Sequence, residues 1–295
     1  MALKMKRNLI QFLLSKFFIL IGIVLIFGCN PESDGDPNRP LPPLELKDQA
    51  YGSDSKQVMD VFLPEGRNLK VTPLLIYIHG GAWIDGSKEE FTQVRVALGQ
   101  NFQNYAFVAI NYRLFDFISS RNPFPTQEND VIAAIQFIER QKSEWNIDGP
   151  TILAGASAGG HLALLHSYKN PQIGNIKAVL AFFPPTDLSQ LYGFNQLTTS
   201  GLTEILQGTP STNPENYLQS SPVTFVTANS IPTVFFHGTA DTVVPISQSE
   251  ILRQVLMEKN VPHLYEAISG QGHGFNAETN IRLMGQAAAF FNQLP

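Results

Sequence analysis

Residues 151–163 read Thr-Ile-Leu-Ala-Gly-Ala-Ser-Ala-Gly-Gly-His-Leu-Ala. The stretch starts with a short apolar run that predicts a buried strand, and it ends in the first turn of a helix predicted over 158–169. Between them stands the pattern G-x-S-x-G, with Ser157 at its centre. A serine on such a sharp strand-to-helix turn projects its hydroxyl above the sheet, and Gly155 and Gly159 leave room for neighbouring backbone. The stretch therefore predicts an α/β fold and a serine nucleophile.

Outward from this stretch, short apolar runs alternate with amphipathic segments, as in βαβ units with a largely parallel sheet. Continuous apolar runs indicate strands buried on both faces. Residues 185–230 are polar and punctuated by Pro and Gly, so we expect a small cap over the sheet's end, after the strand that follows the nucleophile helix. The predicted strands cover 74–79, 106–111, 151–154, 178–183 and 233–237, with one or two edge strands in 51–63, and the predicted helices cover 89–103, 127–142, 158–169, 247–259 and 280–293. We therefore expect residues 44–295 to form one α/β domain, with helices flanking the sheet.

The composition of the 295 residues narrows the classes of function. Hydrophobic residues make up 43% of the chain, and the formal net charge of −5 gives no basic surface of the kind that nucleic-acid binding needs. A single cysteine excludes a disulfide framework and a cysteine-based zinc site. There is no H-E-x-x-H and no P-loop, so we expect neither a metal nor an organic cofactor.

The N-terminal residues 1–28 resemble an export signal. Lys4, Lys6 and Arg7 form a positively charged region ahead of the apolar run 17–27, and no acidic residue occurs before Glu32. The run ends in Ile-Phe-Gly-Cys at Cys29, which is similar to the bacterial lipobox, whose cysteine is lipidated and becomes the first residue. We therefore expect a lipid anchor on Cys29, a flexible tether over 29–43, and a place in the bacterial cell envelope, periplasmic or on the outer-membrane surface. The alternative is an uncleaved membrane anchor.

A second motif, His-Gly-Gly-Ala-Trp, ends the predicted strand 74–79 and continues to Trp83. Its small residues can present backbone N–H groups with little obstruction from side chains. Acyl transfer needs two or more such donors about 3 Å from the developing oxyanion. We expect the N–H groups of Gly81, Ala82 and Ala158 to supply them. The alternative is an ordinary glycine turn.

A serine hydroxyl becomes a useful nucleophile only when a base takes its proton. Among the six histidines, His273 lies in a glycine-rich loop before the last predicted helix, from which a side chain can reach over the sheet. His237, at the end of a strand, is expected to pack in the core. Asp241, just past the same strand, is expected to orient His273, and the chain order Ser157, Asp241, His273 is that of α/β-hydrolases. The rival carboxylate is Asp187, which also fits a helix or turn cap.

These motifs together resemble the α/β-hydrolase superfamily, in the branch of hormone-sensitive lipases and bacterial feruloyl-esterase-like enzymes. The resemblance implies an α/β-hydrolase fold and a serine carboxylesterase acting on a small-molecule or polysaccharide-linked ester, with acetyl and feruloyl esters as candidates. It also implies that Trp83 and Tyr112 lie at the substrate, although Tyr112 fits a buried structural role equally well. The residues that carry the resemblance are 59–64, 79–83, 111–114, 155–161, 241–245 and 272–275.

Two other functions use the same residues. A small amidase, peptidase or arylformamidase would pass through a similar tetrahedral intermediate, so the triad does not separate it from an esterase. A non-catalytic lipoprotein that uses the hydrolase fold for binding is disfavoured, because such proteins usually lose a triad member and this chain has all three. The sequence leaves open the natural ester, its acyl chain and the oligomeric state.

Overall fold

An eight-stranded sheet lies at the centre of the computed structural model, which describes residues 40–294. Its strands are β1 (Leu44–Ala50), β2 (Val58–Leu63), β3 (Leu74–Ile78), β4 (Ala106–Ile110), β5 (Thr151–Ala156), β6 (Ile176–Phe182), β7 (Thr233–Gly238) and β8 (His263–Ile268). They lie in the order β1-β2-β4-β3-β5-β6-β7-β8, and only the β1–β2 and β2–β4 pairs of this sheet are antiparallel. The carboxyl ends of the parallel strands therefore share one edge, where open α/β sheets bind ligands.

Both faces of the sheet are buried. In β3 every residue is buried, with Leu74, Ile76 and Ile78 on one face and Leu75 and Tyr77 on the other. Successive side chains of a strand point to opposite faces, so a strand covered on both sides needs apolar residues at every position. This is the reason for the continuous apolar runs in the sequence.

Five longer helices cover the two faces. One face packs against α1 (Phe91–Leu98) and α8 (Ala277–Phe291), and the other packs against α2 (Thr126–Trp145), α3 (Ala158–Lys169) and α7 (Ser247–Glu258). In α2 the buried positions include Val131, Ala134, Ile135 and Ile138, which is the spacing of one helix face. The α/β-hydrolase fold predicted from the sequence is confirmed.

The chain between β6 and β7 forms a cap of short helices. It contains α4 (Leu188–Leu191), α5 (Gln196–Ile205), α6 (Pro214–Gln219) and a 3₁₀ turn over Pro222–Phe225. At the start of α5, the Asn195 side chain accepts a hydrogen bond from the Thr198 N–H, and the Thr198 hydroxyl accepts one from the Asn195 N–H. Leu202 and Ile205 are buried in the main core, which holds α5 onto the domain.

Two elements differ from the sequence-based expectations. Strand β1 was not predicted, because it is an edge strand with mostly exposed residues, and apolar residues alternate with charged ones only over residues 44–47. The predicted helix 89–103 is wrong in extent: an α-helix occupies only Phe91–Leu98, flanked by 3₁₀ turns. Gly99 takes a φ of 51°, which ends the α-helix there.

The predicted signal segment 1–28 and the predicted lipid-attachment residue Cys29 lie outside the described residues. Between residues 40 and 294, no helix is long and apolar enough to cross a membrane. The same part of the chain holds no group of three or more His, Cys, Asp or Glu side chains arranged to bind a metal ion.

Candidate active site

Ser157 sits on the turn between β5 and α3. Its backbone has φ 54° and ψ −123°, a strained conformation for a residue with a side chain. Two hydrogen bonds hold the turn: the Ser157 N–H donates to the Phe182 carbonyl over 2.8 Å, and the His161 N–H donates to the Ser157 carbonyl over 2.9 Å. The neighbouring strand and the first turn of α3 therefore maintain the strained backbone that the G-x-S-x-G pattern predicts.

The two glycines of the pattern are at close backbone contacts. A Cβ at Gly155 would lie 2.4 Å from the Gly159 carbonyl carbon, and a Cβ at Gly159 would lie 2.0 Å from the Ile78 carbonyl oxygen. Both distances are far below normal van der Waals separations. Only glycine lets α3 approach β3 and β5 this closely, and this approach places the start of α3 beside the end of β3.

The loop after β3 runs directly over this turn. A Cβ at Gly80 would lie 3.6 Å from the Ser157 Cβ, and the next three residues, Gly81, Ala82 and Trp83, all have positive φ. Within the described residues, the N–H groups of Gly81 and Ala82 donate no backbone hydrogen bond. These two N–H groups beside Ser157 are therefore left without a backbone acceptor, and their role as oxyanion donors stays a prediction.

Asp241 and His273 are in direct contact. The His273 Nδ1–H donates to the Asp241 Oδ2 over 2.7 Å, and the Asp241 side chain is fully buried. The Asp241 Oδ1 accepts hydrogen bonds from the Val243 and Val244 N–H groups, at 2.8 and 3.0 Å. Burial raises the pKa of the carboxyl, but hydrogen bonds from His237, His273 and Val243 outweigh it, so the pKa lies well below its usual value. Asp241 is therefore an anion that fixes the proton of His273 on Nδ1.

The rival carboxylate, Asp187, has a different role. It is the N-cap of α4, where its Oδ1 accepts a hydrogen bond from the Gln190 N–H over 3.0 Å. Its own N–H donates to the Gln248 side chain. Of the two candidates, only Asp241 reaches His273.

Four adjacent strands supply the site. Ser157 follows β5, Phe183 follows β6, Asp241 follows β7 and His273 lies in the loop after β8. The Phe183 ring lies 4.4 Å from the His273 ring, centroid to centroid. Among the described residues the Ser157 hydroxyl makes no hydrogen bond, so Ser157 and His273 are not directly bonded. Such bonds are often long before substrate binds.

His237 is a site residue that the sequence analysis placed in the core packing. It is fully buried; its Nδ1 accepts from the Ser249 hydroxyl over 2.7 Å, and its Nε2 lies 2.9 Å from the Val244 carbonyl and 3.3 Å from the Asp241 Oδ2. Both neighbours of Nε2 are acceptors, so this nitrogen carries the proton. The signal was present in the sequence, since His237 precedes Asp241 by four residues at a strand end.

Tyr112 requires a correction. Its side chain is fully buried, its ring stacks on His79 at 4.3 Å, and its hydroxyl lies 3.1 Å from both the His79 and the Gly80 carbonyl oxygens. It supports the loop that follows β3 (residues 79–84, called the oxyanion loop below), and it does not line the cavity at Ser157. Tyr112 therefore has the buried structural role that the sequence analysis gave as its alternative.

Trp83 lies between the cavity and the nucleophile helix. It lines the cavity at Ser157, and its Nε1–H donates to the His161 Nδ1 over 3.2 Å. His161, fully buried, then donates from Nε2 to the Ser220 carbonyl over 2.7 Å. Burial lowers the pKa of His161 to about 4, so the ring is neutral. This chain of contacts joins the oxyanion loop, α3 and the cap.

Ser157 opens into a cavity of about 380 Å³ at the carboxyl edge of the sheet. The oxyanion loop, Phe117, the cap helices α4 and α5, and the segment 242–244 form its walls. A surface hollow of about 400 Å³ along α7 contains none of the site residues. The site is therefore the cavity beneath the cap.

Comparison with known proteins agrees with this geometry. Residues 59–256 match the model of the BD-FAE family. The chain belongs to the BD-FAE family. This match covers the oxyanion loop, Ser157 and Asp241, and it stops short of His273.

The relatives of this BD-FAE protein include two from Mycobacterium tuberculosis. Esterase LipC is 28% identical over 262 residues, which cover 83% of this chain and 64% of the relative. The probable carboxylic ester hydrolase LipM is 30% identical over 235 residues, covering 74% of this chain and 51% of the relative. The chain thus spans between half and two thirds of these proteins. Both relatives are named as ester hydrolases.

A solved structure, a truncated carbohydrate esterase from gut microbiota, superposes with a TM-score of 0.74. It is 23% identical and covers 85% of this chain and 95% of its own. At this identity the likeness concerns the fold alone, and it confirms the α/β-hydrolase architecture.

Proposed function

We propose that this BD-FAE protein is a serine carboxylesterase with Ser157, His273 and Asp241 as its catalytic triad. The observation that carries the proposal is the 2.7 Å contact between His273 Nδ1 and a buried Asp241, on loops beside the strained Ser157 turn. An aspartate in that position holds the imidazole in the tautomer whose Nε2 can accept a proton. Two of the relatives, esterase LipC and the probable carboxylic ester hydrolase LipM, support the same reaction.

In the first half of the reaction, the Ser157 Oγ attacks the ester carbonyl carbon while the His273 Nε2 takes the hydroxyl proton. The carbonyl oxygen becomes an oxyanion, which the N–H groups of Gly81, Ala82 and Ala158 stabilise. Asp241 stabilises the imidazolium. The intermediate collapses when His273 gives the proton to the leaving alcohol oxygen, and the acyl group stays on Ser157.

In the second half, a water molecule attacks the acyl-enzyme. His273 takes one proton from the water, and the hydroxide adds to the carbonyl carbon. When the new tetrahedral intermediate collapses, His273 returns the proton to the Ser157 Oγ. The net reaction consumes one ester and one water and yields a carboxylic acid and an alcohol.

The proposed substrates are small-molecule or polysaccharide-linked esters, with acetyl and feruloyl esters as candidates. An amidase or arylformamidase would use the same residues, and comparing kcat/KM for p-nitrophenyl acetate with that for the matching anilide separates the two.

We also propose a lipid anchor on Cys29 in the bacterial cell envelope; mass spectrometry of the mature N-terminus tests it.

The decisive test of the triad is Ser157→Ala. We expect kcat on p-nitrophenyl butyrate to fall by about 10⁴-fold or more, because the nucleophile is lost, with the thermal unfolding midpoint unchanged within a few degrees. Ser53→Ala, an exposed serine far along the chain, is the matched control and should keep full activity. Retention of activity by purified Ser157→Ala would overturn the proposal.

A further inference from the structure

The cavity at Ser157 has walls made mainly of apolar side chains. Trp83 and Ile84 come from the oxyanion loop, Phe117 from the loop after β4, and Leu197 and Leu202 from α5. Among the described residues, no charged side chain lines it. Four uncharged polar residues, Asn195, Thr198, Ser200 and Thr242, also line it, and Asn195 and Thr198 already bond each other at the start of α5. A sugar would therefore find few free partners for its hydroxyl groups, which is costly, whereas a hydrocarbon chain gains from burial.

Apolar residues also surround the cavity mouth in the free protein. Phe117 and Val243 are 46% and 52% exposed, and Leu197 is 84% exposed. All three line the cavity as well, so the exposed apolar surface and the cavity are continuous. Exposed apolar groups that are clustered in this way mark a binding site.

Gly201 has no side chain and therefore leaves open space in the part of the cavity wall that α5 forms. It lies inside the helix and lines the cavity, and a Cβ built on it would meet no atom within 4 Å. Its φ is not positive, so the backbone does not require glycine. Glycine is a poor helix former, which makes its presence there unfavourable for α5 alone. Its effect is the open space beside Leu197, four residues earlier on the same helix face.

The position of His273 indicates which part of the ester, the acyl chain or the alcohol, enters the cavity. His273 must reach the oxygen of the leaving alcohol, and among the described residues it is not part of the cavity wall. Ala82 and Ala158, whose N–H groups are expected to hold the carbonyl oxygen, are part of that wall. The acyl chain therefore extends into the cavity, and the alcohol leaves on the side of His273.

The volume sets the length of the chain. An apolar cavity of about 150 Å³ holds a benzene molecule, with six carbons. A cavity of about 380 Å³ has room for roughly twice as much hydrocarbon. An acetyl group would fill only part of it.

We propose that this cavity is an acyl subsite for unbranched aliphatic acids of about six to ten carbons, in which Gly201 sets the accepted length. The inference rests on the proposed serine esterase function, and it puts an aliphatic acyl chain in place of the acetyl and feruloyl candidates given there. The chemistry of the subsite is that of a fatty acyl group esterified to a small alcohol.

The test is a series of p-nitrophenyl esters from acetate to decanoate, hydrolysed by the wild type and by Gly201→Leu. In the wild type, we expect kcat/KM to rise by up to about fourfold for each methylene buried, with its maximum between hexanoate and octanoate. In Gly201→Leu, we expect kcat/KM on octanoate to fall by 10-fold or more and that on acetate to stay within about threefold. Gly201→Ala should lie between the two.

Gly193→Leu is the matched control, because Gly193 is an exposed cap residue with no atom within 4 Å of a Cβ and it does not line the cavity. It should keep the wild-type profile. A series of alkyl acetates, from ethyl to octyl, should show little dependence on chain length. A dependence on the alcohol in place of the acid would overturn the acyl assignment.

The outcomes separate the two proposals. If the wild type hydrolyses no ester, the proposed function fails. If the wild type is active but prefers acetate, or if Gly201→Leu reduces acetate and octanoate hydrolysis equally, only the acyl subsite is overturned.

Discussion

The Asp241 carboxylate is surrounded by four N–H groups although its side chain is fully buried. The Val243 and Val244 amides hold one oxygen, and His273 and His237 approach the other at 2.7 and 3.3 Å. A buried anion is tolerated only when it is paired and hydrogen-bonded, and here all its partners are fixed by the turn after β7. Asp241 therefore stays charged and in place, as the orienting member of a triad must.

Asp241→Asn is expected to lower kcat on p-nitrophenyl esters by about 10³- to 10⁴-fold. The amide can turn an NH₂ group toward His273 Nδ1, which favours the tautomer with its proton on Nε2, and that tautomer cannot accept the serine proton. Asp187→Asn is the matched control. Because Asp187 caps α4, we expect kcat within about twofold of the wild type. A large loss in the Asp187 variant alongside an active Asp241 variant would reverse the assignment.

The contact between α3 and β3 positions the nucleophile at the level of whole elements. The helix start approaches the Ile78 carbonyl so closely that only glycine fits at position 159. The same approach sets the oxyanion loop, which continues from β3, over the Ser157 turn. The proposed nucleophile and the proposed oxyanion donors are therefore placed by one helix–strand contact.

Gly159→Ala is expected to destabilise the domain by about 3 kcal/mol, because α3 or β3 must shift to relieve the overpacking. Gly285→Ala in the middle of α8 is the control: its Cβ would meet its nearest atom at 3.9 Å, so the better helix propensity of alanine should stabilise by about 0.5 to 1 kcal/mol. Urea unfolding of both variants measures the two effects. If the two variants were equally stable, the close contact between Gly159 and Ile78 would not constrain the packing of α3 on β3.

Across the whole molecule, three buried histidines link stability to pH. Burial lowers the pKa values of His79, His161 and His166 to about 4. In the unfolded chain a histidine titrates near 6.5, so between about pH 6.5 and 4 the unfolded state binds protons that the folded state does not. Protonation then favours unfolding, and stability falls as the pH drops through this window.

We therefore expect the free energy of unfolding in urea to be lower at pH 5 than at pH 7.5 by several kcal/mol, at up to about 1.4 kcal/mol per pH unit for each histidine. Asp241, whose pKa is lowered, contributes stability that is lost only below about pH 4, outside this range. His166→Gln should reduce the slope by about a third, since one of three groups is removed. A free energy that stays flat from pH 7.5 to pH 5 would contradict the prediction.

The sequence by itself determined most of the strands and helices, and the order along the chain of the candidate site residues. Apolar runs predict β3 to β7 because strands buried on both faces need apolar residues at each position, and glycines mark the turns at Ser157 and His273 because those turns need small residues. These are local properties, readable within a window of a few residues. The candidate triad was inferred from the chain order of Ser157, Asp241 and His273. The expected cap was inferred from the polar segment 185–230, which is punctuated by Pro and Gly.

The tertiary structure decided what depends on segments that are distant along the chain. Strand β1 exists because β2 offers it a partner, since its own residues are mostly polar and exposed. Tyr112 is buried because His79, 33 residues away, lies against it. The depth beside Gly201 likewise depends on how the cap folds over the sheet. Local sequence sets backbone preferences, but contacts and cavities arise only when the packed elements bring their side chains together.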